Sequence, residues 1–220
     1  TLRDSGLAFG DVMAQSSYIG GRTVVVRGES AREVRPKYVS ANYFSFLRVS
    51  PALGRGFLPE EERQGSVPVM VLSHRLWRRL GGDPGIVGES LNVNAVPCQV
   101  VGVAPEGFTG ASLIGPDLWL SLGSYRMVCT RYREWTRPDD ASTDWDYPWC
   151  DIVGRLKPGL EMSVAQTQLQ SLVPHFQAED PEQWRDGMSF LLRRPGRFET
   201  NIDSEETNVI LTIFSLVVMG

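Results

Sequence analysis

Apolar and polar positions change rhythm several times along the chain, and the rhythm predicts the elements. Alternation with a period of two, or a short apolar run bounded by turn residues, marks strands at "RTVVVRG", "AREVRPKYV", "VPVMVLS", "SLNVNAV", "CQVVGVA", "DLWLSL", "CDIVGRL" and "MSFLLRR". Helical spacing interrupts these strands. In "SHRLWRRLGG", Leu76, Trp77 and Leu80 share one face and Arg75, Arg78 and Arg79 largely take the other, a solvated face. Ser73 is the cap there and Gly81-Gly82 the stop. In "SVAQTQLQSLVPHF", Ala165, Leu169, Leu172 and Phe176 recur at helical spacing behind a Ser163-x-x-Gln166 capping box, and Pro174 kinks or ends the helix.

Between them lies "YVSANYFSFLRVSPALGRGFLPEEE". Ser40 is expected to cap a short helix with Phe44 and Leu47 on one face, and Pro51 to stop it. Gly54 and Gly56 mark a turn, while Pro59 with Glu60, Glu61 and Glu62 is a Pro-first, acid-rich helical turn suited to the helix dipole. Asp83-Pro84-Gly85 makes a further turn. The fold class is therefore mixed α+β, with many short strands, two or three helices, no βαβ rhythm and no internal repeat. Composition changes after Leu47 and again near Tyr125, which suggests a compact insert between two halves of another domain.

A hydrophobic content of 42% with 22% charged residues is that of a foldable globular chain. The formal charge of −4 supplies no basic field to collect phosphate backbones, so nucleic acid is excluded as a partner. The chain opens at Thr1 without an initiator Met or a signal peptide, and it reads as a piece of something longer. From Val209 to Met219 it is apolar, interrupted only by Thr212 and Ser215. That run is shorter than the ~20 residues a membrane helix needs. Taken alone, it is either the start of such a helix or a terminal core strand or helix.

The sequence offers little chemistry. It lacks H-E-x-x-H, G-x-S-x-G and G-x-x-x-x-G-K-[ST] motifs, and Gly54-Arg-Gly56 is a turn without the third glycine of a phosphate loop. His74 and His175 have no Cys or carboxylate at metal or triad spacing. Asp139, Asp140, Asp144 and Asp146 do not follow a calcium-loop pattern and read as solvated charge beside Arg131, Arg133 and Arg137. No catalytic residue, cofactor or metal site is expected. Cys98, inside "CQVVGV", is a small buried hydrophobe. Cys129 and Cys150 bracket a Trp-rich loop and are either free thiols or, in an oxidising compartment, a disulfide contributing about 3 kcal/mol in the chain-entropy model. Trp135, Trp145 and Trp149 in that loop either pack inward or, with Arg131, mark a protein contact.

In unbroken order from about Val24 to Leu172, "VSANYFSFLRVSPALGRGF", "VPVMVLSHRLWRRLGGDPGIVGESLNVNAVPCQVVGVAPEGF", "PDLWLSL" and "VGRLKPGLEMSVAQTQL" resemble the periplasmic core domain of MacB-like and FtsX-like ABC transporter permeases, in particular the large acidobacterial type. The resemblance implies an extracytoplasmic domain of an inner-membrane protein, held between two membrane helices. It favours the membrane-helix reading of the final apolar run. It further implies a porter-like subdomain in two sequence-distant halves, residues 1–50 and 124–205, a smaller inserted subdomain at 51–123, and a truncated membrane helix from 206. "SANYFSFL" then leads into the insert and "PALGRGF" is the crossover. No catalytic residue belongs to this domain in the family. The implied partners are a cytoplasmic ABC ATPase subunit or domain, a second permease copy or half, the membrane through the flanking helices, and a periplasmic protein in some relatives. The expected function is to couple ATP hydrolysis to periplasmic movement for export or efflux. The alternatives are an FtsX-like module that activates an external enzyme or sensor, and a stand-alone secreted binding domain.

Overall fold

The computed structural model describes residues 8–16, 22–63, 65–111, 114–129, 150–179, 190–193 and 208–212. Among the described residues twelve strands form one mixed sheet. They are β1 (Phe9–Ser16), β2 (Thr23–Arg27), β3 (Ser30–Val34), β4 (Pro36–Val39), β5 (Leu53–Gly54), β6 (Val69–Leu72), β7 (Ser90–Val93), β8 (Val96–Val103), β9 (Leu118–Ser121), β10 (Cys150–Leu156), β11 (Leu191–Arg193) and β12 (Asn208–Thr212). The lateral order is β11-β12-β10-β1-β4-β9-β6-β8-β7-β2-β3, with β5 attached to β8. The pairs β4–β9 and β6–β8 are parallel and the others antiparallel.

Helices cover the sheet. They are α1 (Tyr43–Phe46), α2 (His74–Arg79), α3 (Tyr125–Val128), α4 (Met162–Gln170) and α5 (Val173–Glu179), with 3₁₀ turns at Pro59–Glu62, Pro84–Ile86 and Leu122–Ser124. Strand alternation sorts the core between the two faces. On β6, Met70 and Leu72 join Leu76 of α2 and Leu80 at its C-terminal cap, whereas Val69 and Val71 join the aromatic residues of α1. On β9, Leu118 and Leu120 go with the first group and Trp119 with the second. All four residues of each strand are buried, which is why these runs read as continuously apolar. Phe44 anchors the second face, with its ring 5.6 Å from Tyr43, 5.9 Å from Phe57, 5.8 Å from Phe108 and 5.6 Å from Trp119. A third cluster joins Ala165 and Leu169 of α4 to Leu156, Phe190 and Leu192.

Most predicted strands are present. The run "AREVRPKYV" is two strands, because Pro36 has no N–H to continue a ladder; β3 pairs with β2, and β4 pairs with β9. The β7–β8 turn holds Asn94 at φ 50° and Ala95 at φ 66°, the two left-handed positions of a tight hairpin. Gly54 at φ 69° lets β5 lie against the backbone of Val101, where a Cβ would collide. The β2–β3 hairpin pairs with β7, so residues from the predicted first half extend the strands of the predicted insert.

Several local expectations are corrected. Asn42, not Ser40, occupies the α1 cap position, and it makes no side-chain cap bond; the Ser40 hydroxyl is turned to β1 instead. The helix expected to open with a Ser163–Gln166 capping box begins two residues earlier, at Met162 behind Glu161. Its Gln166 donates to the Phe190 carbonyl at 2.6 Å and accepts Leu192 N–H at 2.7 Å, so the side chain is spent on positioning β11. At the start of the final apolar run, Asn208–Thr212 is strand, one of the two readings of that run, and pairs with both β10 and β11. Residues 213–220 lie outside the described residues. Among the described residues no helix is long and apolar enough to cross a membrane. Other readings hold, as with the Ser73 hydroxyl, which accepts Leu76 N–H at 3.1 Å as a helix cap.

Candidate functional site

The sheet has a seam. On one side β1 pairs with β10 along its length, from Phe9↔Leu156 to Ser16↔Cys150. On the other it meets β4 at one bridge, Gln15↔Val39. Side chains replace the missing ladder. The Ser16 hydroxyl accepts Tyr38 N–H at 3.0 Å, and the Ser40 hydroxyl accepts Ala14 N–H at 2.9 Å. Ser40 N–H returns a bond to the Ala14 carbonyl at 2.8 Å. Asn42 donates to the Val12 carbonyl at 2.8 Å and to Asp11 Oδ1 at 3.2 Å, and accepts from the Ser40 hydroxyl at 2.8 Å. From the far side Arg155 of β10 donates to the Phe46 carbonyl at 2.9 Å, with its guanidinium 4.8 Å from the Phe46 ring centre. Sequence reading missed these roles, because hydroxyls that substitute for strand pairing leave no periodic signal.

The Pro59–Glu62 turn lies beside this seam. Glu62 accepts Ala41 N–H at 3.1 Å, holding the chain as it leaves β4 for α1. The same turn presses on the 3₁₀ turn that follows β9, where Gly123 faces the carbonyls of Glu61, Glu62 and Arg63. Glu61 fixes the turn by accepting Leu58 N–H at 2.7 Å and pairing with Arg55 at 2.7 Å and 3.0 Å. One acidic turn thus touches both the β4–α1 connection at Ala41 and the turn after β9 at Gly123.

A second clamp lies at the other end. Arg27 of β2 makes a bidentate pair with Glu89 at 2.8 Å and 3.1 Å, and donates to the Leu80 carbonyl behind α2 at 2.7 Å. These bonds fasten the β2–β3 hairpin to the α2–β7 segment. The hydrogen bond to Glu89 raises the Arg27 pKa above its ordinary value.

Of the predicted site residues, Cys98 and Cys129 fall among the described side chains. Cys98 is buried, its pKa pushed up to about 12 by burial, as expected of a core thiol. Cys129 is a buried free thiol at the end of α3. Cys150 begins β10 opposite Ser16, and its side chain lies outside the described residues, as do Arg131, Trp135, Trp145, Trp149 and the aspartates 139, 140, 144 and 146. His74 sits 5.1 Å from the Trp77 ring and His175 5.7 Å from Phe176. Among the described residues no cluster of His, Cys, Asp and Glu is arranged to hold a metal.

Several solved structures share the fold. The periplasmic region of MacB from Actinobacillus actinomycetemcomitans matches with a TM-score of 0.55 at 14% identity, covering 80% of this chain and 71% of its own. The extracellular domain of the noncanonic ABC-type transporter YknZ from Gram-positive bacteria matches at 0.50 and 11% identity, covering 80% and 78%. A domain of a putative permease protein from Porphyromonas gingivalis matches at 0.52 and 14% identity, covering 95% and 74%. No curated protein matches the sequence. The sequence pattern of the MacB-like periplasmic core domain matches residues 4–172, and the chain belongs to that family.

Proposed function

We propose that this domain is the non-enzymatic moving part of a MacB/FtsX-like ABC permease, standing outside the inner membrane and bending at the β1–β4 seam. ATP is hydrolysed by a cytoplasmic ATPase subunit or domain, and a second permease copy or half completes the transporter. The porter-like halves are residues 1–50 and 124–205 and the insert is 51–123, with the β2–β3 hairpin reaching across to the insert. The pairing of β1 with β10, which come from distant parts of the chain, supports the two-halves reading.

The seam is the observation that carries the proposal. A sheet resists bending where ladders are continuous, whereas here four strands, β11, β12, β10 and β1, meet the rest through one bridge, the Ser40–Ala14 main-chain bond, a few side-chain bonds and the packing of Met13 and Val153 against Val39 and the aromatic residues of α1. Such bonds can exchange partners at modest cost, the property of a hinge between packed bodies.

The test is a disulfide across the seam. Bridge partners such as Gln15 and Val39 have Cα atoms within disulfide range. In the full-length permease with its ATPase, Gln15→Cys with Val39→Cys should, once oxidised, abolish transport-linked activity while ATP binding persists, and reduction should restore it. Full activity in the oxidised state rejects the hinge. Export and signalling are separated by whether a cell-wall hydrolase or histidine kinase binds the isolated domain.

A further inference from the structure

We infer that Arg35, Arg75 and Arg79, gathered round Asp117, form a docking surface for an acidic segment of a partner protein. The inference does not depend on the hinge.

Asp117, just before β9, is a fixed pin. Its N–H donates to the Arg35 carbonyl at 2.8 Å and its carbonyl accepts Ser73 N–H at 2.9 Å. Its carboxylate, with the side chain 6% exposed, accepts Arg35 N–H at 2.9 Å on one oxygen and Arg75 Nη2 at 2.7 Å on the other. Arg79 Nη1 at 3.9 Å and Arg35 Nε at 3.8 Å complete the cluster. Three guanidiniums against one carboxylate leave a formal charge of +2, and these side chains are 56%, 57% and 45% exposed for Arg35, Arg75 and Arg79.

Like charges on a wet surface spread apart unless something holds them. Here Asp117 gathers three and neutralises one. Each guanidinium carries five N–H donors, and beyond Asp117 the cluster's further bond is Arg35 to the Gly115 carbonyl at 3.3 Å, so most donors still face water. Arg78 of the same helix stays out of the cluster, with its guanidinium 5.8 Å from the Trp77 ring centre. A pinned set of guanidinium forks suits carboxylates, which they bind bidentately. The occupant is a short acidic protein segment because the chain as a whole carries −4. That net charge repels an extended polyanion or an anionic membrane at a distance, whereas a short segment meets only the local positive patch within a screening length.

The probe is hexaglutamate with acetylated and amidated ends, titrated into the isotopically labelled chain at low salt. Saturable shifts are expected at the amides of Arg35, Arg75, Arg79 and Asp117, and they should weaken with added salt. Arg75→Ala with Arg79→Ala should weaken binding about tenfold or more; because Arg75 holds the buried Asp117 carboxylate the unfolding midpoint also falls, so binding is compared well below it, where both chains are folded. Asp117→Asn adds positive charge but unpins the arginines, so weaker binding is expected; tighter binding would mean that charge alone is read, and the pinned surface is wrong. Peptide binding unaffected by the double variant overturns the inference. So does arginine-dependent binding of phosphatidylglycerol vesicles, or competition by inorganic phosphate at equal concentration.

Discussion

Ser40 and Ala14 are bonded in both directions across the seam: Ala14 N–H donates to the Ser40 hydroxyl at 2.9 Å, and Ser40 N–H donates to the Ala14 carbonyl at 2.8 Å. One serine therefore supplies both a main-chain and a side-chain bond where two strands have almost stopped pairing. Its side chain is buried, so its loss leaves Ala14 N–H without that acceptor. Ser40→Ala should cost about 1–3 kcal/mol in urea unfolding, with amide exchange at Ala14 accelerated and that at Val153 on β10 little changed. Uniform acceleration through both strands would mean that the seam is not a separate unit.

Gly123 gives a second handle on the same region. A Cβ there would stand 2.6 Å from the Arg63 carbonyl, 2.8 Å from that of Glu62 and 2.9 Å from that of Glu61. Backbone cannot step aside as a side-chain tip can, so Gly123→Ala should push the two 3₁₀ turns apart and cost about 1–3 kcal/mol. A thermal midpoint equal to wild type would show that the turns are not pressed together in solution.

Arg27 is half-buried and Glu89 more exposed, so the charge pair itself is discounted for solvent. The larger loss in Arg27→Ala is the donor to the Leu80 carbonyl, and the total should be about 1–2 kcal/mol. Hydrogen exchange should rise in β2 and β3 before it rises in β6 and β9.

Alkaline pH should destabilise the fold between about pH 9 and 12. Burial raises the Cys98 pKa from 9.0 to about 12 and that of Tyr43 from 10.0 to about 12. Above the unfolded values the unfolded chain gives up these protons first, so it binds fewer than the native state and stability falls as pH rises. The urea midpoint should drop between pH 8 and pH 10.5, and Cys98→Ala should make that drop smaller. The native Cys98 thiol should also resist a maleimide at pH 8 and react on unfolding.

Local physics settled much of this protein in advance. The short apolar runs in "VPVMVLS" and "CQVVGVA", the Ser73 cap, the Asp83-Pro84-Gly85 turn and the acidic Pro59–Glu62 turn each depend on a few adjacent residues, so their sequence suffices. The ordered set of segments from Val24 to Leu172 was enough to suggest the family. Features that depend on distant partners were another matter. β1 was not read as a strand, because "FGDVMAQS" has a bulge between Phe9 and Asp11 and is stabilised by pairing with β10, more than a hundred residues on. The apolar residues at Asn208–Thr212 fit a helix or a strand equally well until β10 and β11 lie alongside them. Ser40 reads as a helix cap locally, yet its hydroxyl goes to Ala14 across the seam. Asp117 gathers arginines 82 and 42 positions before it, and no spacing rule announces such a meeting. The sequence by itself determined elements and family, because backbone preference and hydrophobic period are short-ranged. Only the tertiary structure decided where the sheet is weakly joined and where charge collects, because each depends on which distant backbone groups and side chains come within hydrogen-bonding distance.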